Sequence, residues 1–376
     1  MYIKRKASDL LKMKAVPGKV TVILGPRRVG KTFMLKEYMN ENKAKTLFFN
    51  GEDFAIHELL KRRSVQNYKN LLGDSELLII DEAQKVPEIG SILKLIVDSF
   101  AKLKIIVTGS SAFDIYNLIG EPLTGRKNEI RLFPISEEEI IKIDAAEQRK
   151  DNLYQRLVYG NMPEVFSMNT KKEKEEYLRE LISSYLLKDI LIFEKIKNSS
   201  KIFDLLKLLA FQIGSKASLT EIGTQLGISK NTVERYLDIL SKSFILFKLN
   251  AFSRNLRKEI VKSSKWYFFD NGLRNAIIAN MNDISMRHDA GQLWEQYMIN
   301  ERLKFQSYNG LHSNNYFWRT YDQQEIDWIE DREGILFAYE LKIKNKKIRE
   351  PKAWKLNYPA SNYSLVHDEN YLDWLT

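Results

Sequence analysis

A chain of 376 residues is too long for one ordinary hydrophobic core, so two or three domains are expected; with 44% hydrophobic and 11% aromatic residues it should fold throughout. No cysteine and only four histidines are present, which excludes disulfides, thiolate metal sites and cysteine nucleophiles and leaves no crowded zinc constellation. A formal charge of +10 favours a polyanionic partner, while the charged start Met1-Tyr-Ile-Lys-Arg-Lys and the lack of any run near about 18 apolar residues lead us to expect a cytoplasmic protein with no membrane partner.

The first element in chain order is Lys19-Val-Thr-Val-Ile-Leu24, β-branched and apolar like a buried strand. Gly25-Pro-Arg-Arg-Val-Gly-Lys-Thr32 follows, a complete G-x-x-x-x-G-K-[ST] phosphate loop. Gly25 and Gly30 let the loop backbone through Pro26-Arg27-Arg28-Val29 turn around a phosphate chain, with N–H groups from Arg27 onward facing it, since Pro26 has none. Lys31 reaches the β- and γ-phosphates of such a chain, and the Thr32 hydroxyl takes a position on Mg²⁺. A helix from about Lys31 to Asn40 points its positive end at the same anion. Arg27 and Arg28 either contact phosphate or hold the loop through salt bridges.

Leu77-Leu-Ile-Ile-Asp-Glu82 is a second buried parallel strand, ending in two acids where open α/β sheets bind ligands. Asp81 would hold Mg²⁺ through water and Glu82 would act as general base on the attacking water. A third run, Lys104-Ile-Ile-Val-Thr-Gly-Ser-Ser111, ends in hydroxyls. Thr108, Ser110 or Ser111 would sense the γ-phosphate, or merely form a turn or cap.

These motifs, with Ile79-Ile-Asp-Glu-Ala-Gln-Lys-Val-Pro87, Val107-Thr-Gly-Ser-Ser111, Leu123-Thr-Gly-Arg126 and Leu132-Phe-Pro-Ile-Ser-Glu-Glu-Glu139, resemble the prokaryotic AAA-superfamily ATP-binding proteins that carry a C-terminal domain of unknown function. The resemblance spans nearly the whole chain. It implies an AAA-type P-loop ATPase core over residues 1–135, with Asp81 and Glu82 as the Walker B pair. It also sets Arg126 at the family's Gly-Arg position, where it stabilises phosphoryl charge in cis or from a neighbouring protomer of a homo-oligomer, or else sits in a surface ion pair.

Residues 136–200 alternate Glu and Lys at helical spacings, broken by the turn Tyr159-Gly-Asn-Met-Pro163, and are expected to form a helical lid and connector. Ser218 to Leu240 has the rhythm of a helix-turn-helix. Ser218 or Thr220 caps the first helix, Gly227 turns, and Ser229 caps the second, with Lys230, Asn231, Thr232 and Arg235 on its exposed face. Residues 242–265 carry seven Lys or Arg, among them Arg254, Arg257 and Lys258, against the single acid Glu259. A winged helix over 201–275 is expected, serving DNA binding or protein interaction.

In residues 276–376, Glu295 lies on a helix, Asp327 in Gln324-Glu-Ile-Asp-Trp-Ile329, and Glu340-x-Lys342 ends a further strand. Alternation puts Glu340 and Lys342 on one strand face. The arrangement resembles the PD-(D/E)xK, restriction-endonuclease-like core. That resemblance implies Asp327 and Glu340 as ligands of a second Mg²⁺, Lys342 assisting the attacking water, and Glu295 as a fourth carboxylate. Glu325 is a further acid whose face depends on the strand being regular. Residues 341–355 carry seven Lys or Arg with only Glu350 opposing them, which suits a nucleic-acid backbone. The chain is thus expected to be an α/β, ATP-hydrolysing protein that acts on or senses DNA; a nucleotide-switched interaction module, or a DNA-binding regulator that cuts nothing, stands beside it.

Overall fold

The computed structural model describes residues 2–110, 123–183, 199–253, 264–320 and 322–375. They divide into two compact units, one of residues 2–134 with 242–244 and one of residues 135–241 with 245–376.

The first unit is built on a five-stranded sheet in the order β2-β3-β4-β1-β5, all neighbours parallel. The strands are β1 (Val20–Leu24), β2 (Thr46–Asn50), β3 (Leu77–Asp81), β4 (Lys104–Gly109) and β5 (Lys127–Arg131). Every residue of β1 and β3 is buried, as continuous apolar runs demand when helices cover both faces. Because all five strands run the same way, Leu24, Asn50, Asp81, Gly109 and Arg131 end along one edge. Two helices matter for that edge: α1 (Lys6–Lys14), before β1, and α2 (Lys31–Glu41), which leaves it.

The second unit holds a seven-stranded mixed sheet in the order β12-β11-β10-β9-β7-β8-β6. Its strands are β6 (Lys216–Ala217), β7 (Leu246–Ala251), β8 (Ser264–Phe268), β9 (Asn314–Arg319), β10 (Glu325–Arg332), β11 (Ile335–Leu341) and β12 (Asn362–Val366). The expected boundary at residue 275 is crossed by this sheet. One edge of β7 pairs antiparallel with β8 and the other takes β9 in parallel, Asn250 opposite Tyr316 and Ala251 opposite Phe317. An uncovered β7 edge would leave a row of unpaired backbone groups, and β9 satisfies them.

Ser218 caps the helix Leu219–Leu226, Gly227 at φ 65° turns the chain, and Ser229 accepts the Thr232 N–H at the start of Lys230–Lys242. Val233, Tyr236, Leu237 and Leu240 are buried, while Lys230, Asn231 and Arg235 are exposed. Residues 136–183, expected as part of a lid, belong to this second unit, which starts at Ile135, and several of their polar groups are bonded inside it. Arg156 donates to Glu137 at 2.8 Å and to Asp144 at 2.7 Å, and Asn161 bonds Glu301 on the long helix Ala290–Asn309. Among the described residues, no helix is long and apolar enough to cross a membrane.

Candidate functional site

The phosphate loop leaves the carboxyl end of β1 and runs directly into α2. Its glycines are sterically required: a Cβ on Gly25 would lie 2.2 Å from the Leu132 carbonyl oxygen, and Gly30 has φ 97°, a left-handed conformation that side chains resist. Val29 is buried, Arg27 half-buried, and Arg28 exposed with φ 59°. Lys31 is 5% exposed, and its ammonium donates to the carbonyls of Gly25 at 3.0 Å and Pro26 at 2.9 Å. Burial brings its pKa down to about 8, helped by Arg27 and opposed by Glu82 and Asp81.

Thr32 follows on the first turn of α2, and its hydroxyl donates to Asp81 at 2.6 Å. A hydroxyl and a carboxylate, both hard oxygen donors beside the loop, suit Mg²⁺, which accepts one or two protein ligands and keeps several waters. Thr108, fully buried, donates its one proton to the other Asp81 oxygen and accepts the Glu82 N–H at 3.0 Å. Thr108 thus ties the two acids together at the end of β4. Glu82 sits at φ 48°. Its carboxylate is gripped by Gln84 at 2.5 Å and Ser110 at 3.2 Å. Gln84 was not expected here; its only sequence signal is a place two residues after the acid pair. Ser111 lies outside the described residues.

Arg126 takes the surface ion-pair alternative. It precedes β5, and its carbonyl accepts the N–H of Val20 at the amino end of β1. The loop lies at the other end of that strand, five residues and roughly 16 Å away. Arg126 instead forms an exposed ion pair with Asp98 at 2.6 Å, so it does not serve the loop of its own chain.

The pKa of Lys31 gives a test. Below about 8 the free loop holds a charged ammonium, so ATP binding takes up no proton there; above it, binding must restore the charge. ATP affinity is expected to be flat up to about pH 7.5 and then to fall by up to about tenfold per unit. Calorimetry in buffers of different ionisation heat would show net proton uptake near pH 9, and the expectation fails if none is taken up.

The second cluster lies in the C-terminal unit. Lys342 donates to Asp327 at 3.2 Å and pairs with Glu340 at 2.7 Å, so both acids lie within one ammonium's reach. The Asp327 carboxylate also accepts the Leu341 N–H at 2.9 Å. Burial and the nearby Asp327 raise the Glu340 pKa to about 7. Glu295, expected beside them as a fourth carboxylate, lies close enough that its charge acts on Glu340 and that of Asp327 acts on it, and it is held by Lys265 at 3.1 Å and Tyr267 at 2.5 Å. Lys265 also pairs with Glu325 at 2.6 Å, just before the register of β10 against β9 shifts between Ile326 and Ile329. Sequence spacing did not single out Lys265, which reads there as one of seven basic residues. Among the described residues, no three acidic or histidine side chains form a metal-binding group; Asp327 and Glu340 remain as a two-carboxylate pair. Arg254, Arg257 and Lys258 lie outside the described residues.

Residues 17–141 match the family described as AAA domain, residues 150–284 a domain of unknown function, DUF8612, and residues 290–371 another, DUF4143. The chain is similar to an uncharacterized protein of Methanocaldococcus jannaschii, 27% identical over 94% of this chain and 83% of that protein. An uncharacterized protein of Mycobacterium tuberculosis is 24% identical over 90% of this chain and 74% of its own length. Among solved structures, the Walker-type ATPase of Pyrococcus abyssi has a TM-score of 0.51 at 17% identity, covering 74% of this chain and 96% of that one, a likeness of fold. The first unit is a P-loop AAA-type ATPase domain, followed by a C-terminal domain of unknown function.

Proposed function

We propose that this AAA-type ATPase hydrolyses Mg²⁺-ATP at the carboxyl ends of β1 and β3 and that the cycle controls an action of its C-terminal unit on DNA. One observation carries the nucleotide half: buried Lys31, the Thr32 hydroxyl and Asp81 meet at the sheet edge where the phosphate loop opens. Lys31 and the loop N–H groups would bind the phosphates, Thr32 and Asp81 would hold Mg²⁺, and Glu82 would polarise the attacking water once free of Gln84 and Ser110. Mg²⁺ supplies charge neutralisation of the phosphates when bound. An arginine contribution from Arg126 would require a second copy of the chain. ATP turnover by the purified protein, with and without Mg²⁺ and duplex DNA, tests both halves. Metal-dependent turnover is expected, and stimulation by DNA that declines steeply with salt. Turnover indifferent to DNA, with no DNA affinity at low salt, would leave the nucleotide-switched interaction module.

A second reading concerns the C-terminal cluster, favoured by the meeting of Asp327, Glu340 and Lys342 around one ammonium. Two carboxylates suffice for a Mg²⁺ that keeps its waters, and Lys342 would then turn to the water or the phosphodiester. The exposed Lys344, Lys346, Lys347 and Arg349 that follow would suit the phosphates on either side. Plasmid cleavage that needs Mg²⁺ and vanishes in Asp327→Ala, while ATP turnover persists, is the expected result. No cleavage by the wild type leaves the cluster as a structural charge network.

A further inference from the structure

The phosphate loop is gripped from outside by a residue that lies well before it in the chain. Arg5, the residue that opens α1, is 6% exposed. Its Nη1 donates to the Val29 carbonyl at 2.9 Å and its Nη2 to the Phe133 carbonyl at 2.5 Å. Nη1 also lies 3.8 Å from the point where a Cβ on Gly30 would stand. A burial of this depth is costly for a guanidinium, and here two of its N–H groups are aimed at main-chain oxygens.

The consequence follows from peptide geometry. In a trans peptide the carbonyl and the next N–H point in opposite directions. With the Val29 oxygen drawn outward onto Arg5, the Gly30 N–H faces the other way, toward the interior that the loop wraps. Gly30 has φ 97° and lacks a side chain to resist rotation, so the loop is most easily deformed at this peptide. The far side of the loop is fixed by the same stretch of chain. The Leu132 N–H donates to Leu24 at 2.7 Å and the Leu132 carbonyl abuts Gly25. Residues 132 and 133 thus brace the loop at its first glycine directly and at its second through Arg5.

We propose that Arg5 is a positioning residue of the ATP site: it sets the Val29–Gly30 peptide so that the Gly30 N–H is presented to phosphate, and it ties that peptide to Phe133, next to Pro134 where the chain leaves the ATPase unit. The proposal rests on the ATPase assignment above and adds a residue outside the loop motif. Arg5 acts through the backbone it holds.

The test compares ATP kinetics and melting in Arg5→Met and Lys14→Met. Lys14 lies on the same helix and donates to another carbonyl of the same unit, that of Glu129 at 2.9 Å, away from the loop. Arg5→Met is expected to raise the KM for ATP about tenfold or more, the worth of one or two hydrogen bonds from a charged donor, with kcat within about twofold. Millimolar guanidinium should bring KM back toward the wild-type value. Lys14→Met should leave KM unchanged even where it lowers the melting temperature. A wild-type KM in folded Arg5→Met overturns the proposal, as does a KM that rises alike in both variants in step with lost stability. Should Arg5→Met not fold, Arg5→Lys keeps the charge but cannot fork to both carbonyls. Its KM should lie between wild type and tenfold up, and an unchanged value overturns the proposal equally. A wild-type chain that turns over no ATP removes the ATPase reading itself, a failure visible before any Arg5 variant is made.

Discussion

Lys31→Ala is expected to abolish detectable ATP binding or turnover, whereas Glu82→Gln should leave ATP bound and stop its hydrolysis. The two outcomes differ because the residues do different work. Lys31 is a buried cation held by two loop carbonyls, and an arriving phosphate exchanges those neutral partners for a charged one. Removing it forfeits binding in the ground state and the transition state together. In the proposed reaction Glu82 acts on water, and loss of a general base costs about 10²–10⁴-fold in rate with little effect on affinity. Gln84→Ala offers a check on the same site. Gln84 donates to the Glu82 carboxylate, so its loss should change kcat while leaving ATP affinity near wild type. Single-turnover hydrolysis beside equilibrium binding of a fluorescent ATP analogue separates these effects, and turnover untouched in both Lys31→Ala and Glu82→Gln would end the assignment.

Lys265→Met should destabilise the C-terminal unit by about 3–5 kcal/mol, the range for leaving buried carboxylates without their cation. The Lys265 ammonium is 1% exposed. Burial works against its charge, but Glu295, Glu325 and Asp327 outweigh burial and raise its pKa. Glu295 has the opposite problem. Burial, with Asp327 adding to it, lifts its carboxyl to about 7 despite Lys265 and Tyr267. A carboxyl whose folded pKa is raised stabilises fully below its unfolded value and loses that contribution as pH rises through the folded one. The penalty of Lys265→Met should therefore be smaller near pH 5, where Glu295 is protonated, and larger near pH 8. Adding Glu295→Gln should recover much of the loss at pH 8. Chemical denaturation at both values checks the sign; a penalty that does not grow with pH would mean that Glu295 is charged throughout.

The two clusters differ in how far the chain announces them. At the phosphate loop, Gly25, Gly30, Lys31 and Thr32 are consecutive or nearly so, and the backbone conformations and the strand-to-helix context they need are local properties. Asp81 and Glu82 are equally legible, because an apolar run of strand length ending in acids has one sensible place in a parallel sheet. Thr108 shows the limit. Its position at a strand end was visible, but whether its single proton goes to a phosphate or to Asp81 depends on β3 and β4 lying side by side. Arg126 shows it again: the motif placed it near the reaction, and the parallel pairing of β5 with β1 puts it at the wrong end of the sheet.

In the C-terminal unit, strand alternation put Glu340 and Lys342 on one face, the resemblance to the restriction-endonuclease-like core added Asp327, and the pairing of β10 with β11 as a hairpin brings the three together. Lys265, 30 residues from Glu295 in sequence, carries no such mark. It became part of the cluster only because β7 accepts β9 along its open edge and draws β8 into the same sheet. Likewise Arg5 and Phe133, separated by 128 positions, meet through the packing of the N-terminal segment on the ATPase sheet. The sequence by itself determined the phosphate loop, the acid pair and the strands and helices that carry them, because those depend on periodicity and on dihedral demands within a few residues. Which cation each buried carboxylate meets, and where the units divide, was decided by tertiary structure alone, because ion pairing across a sheet depends on strand order and burial that no local pattern encodes.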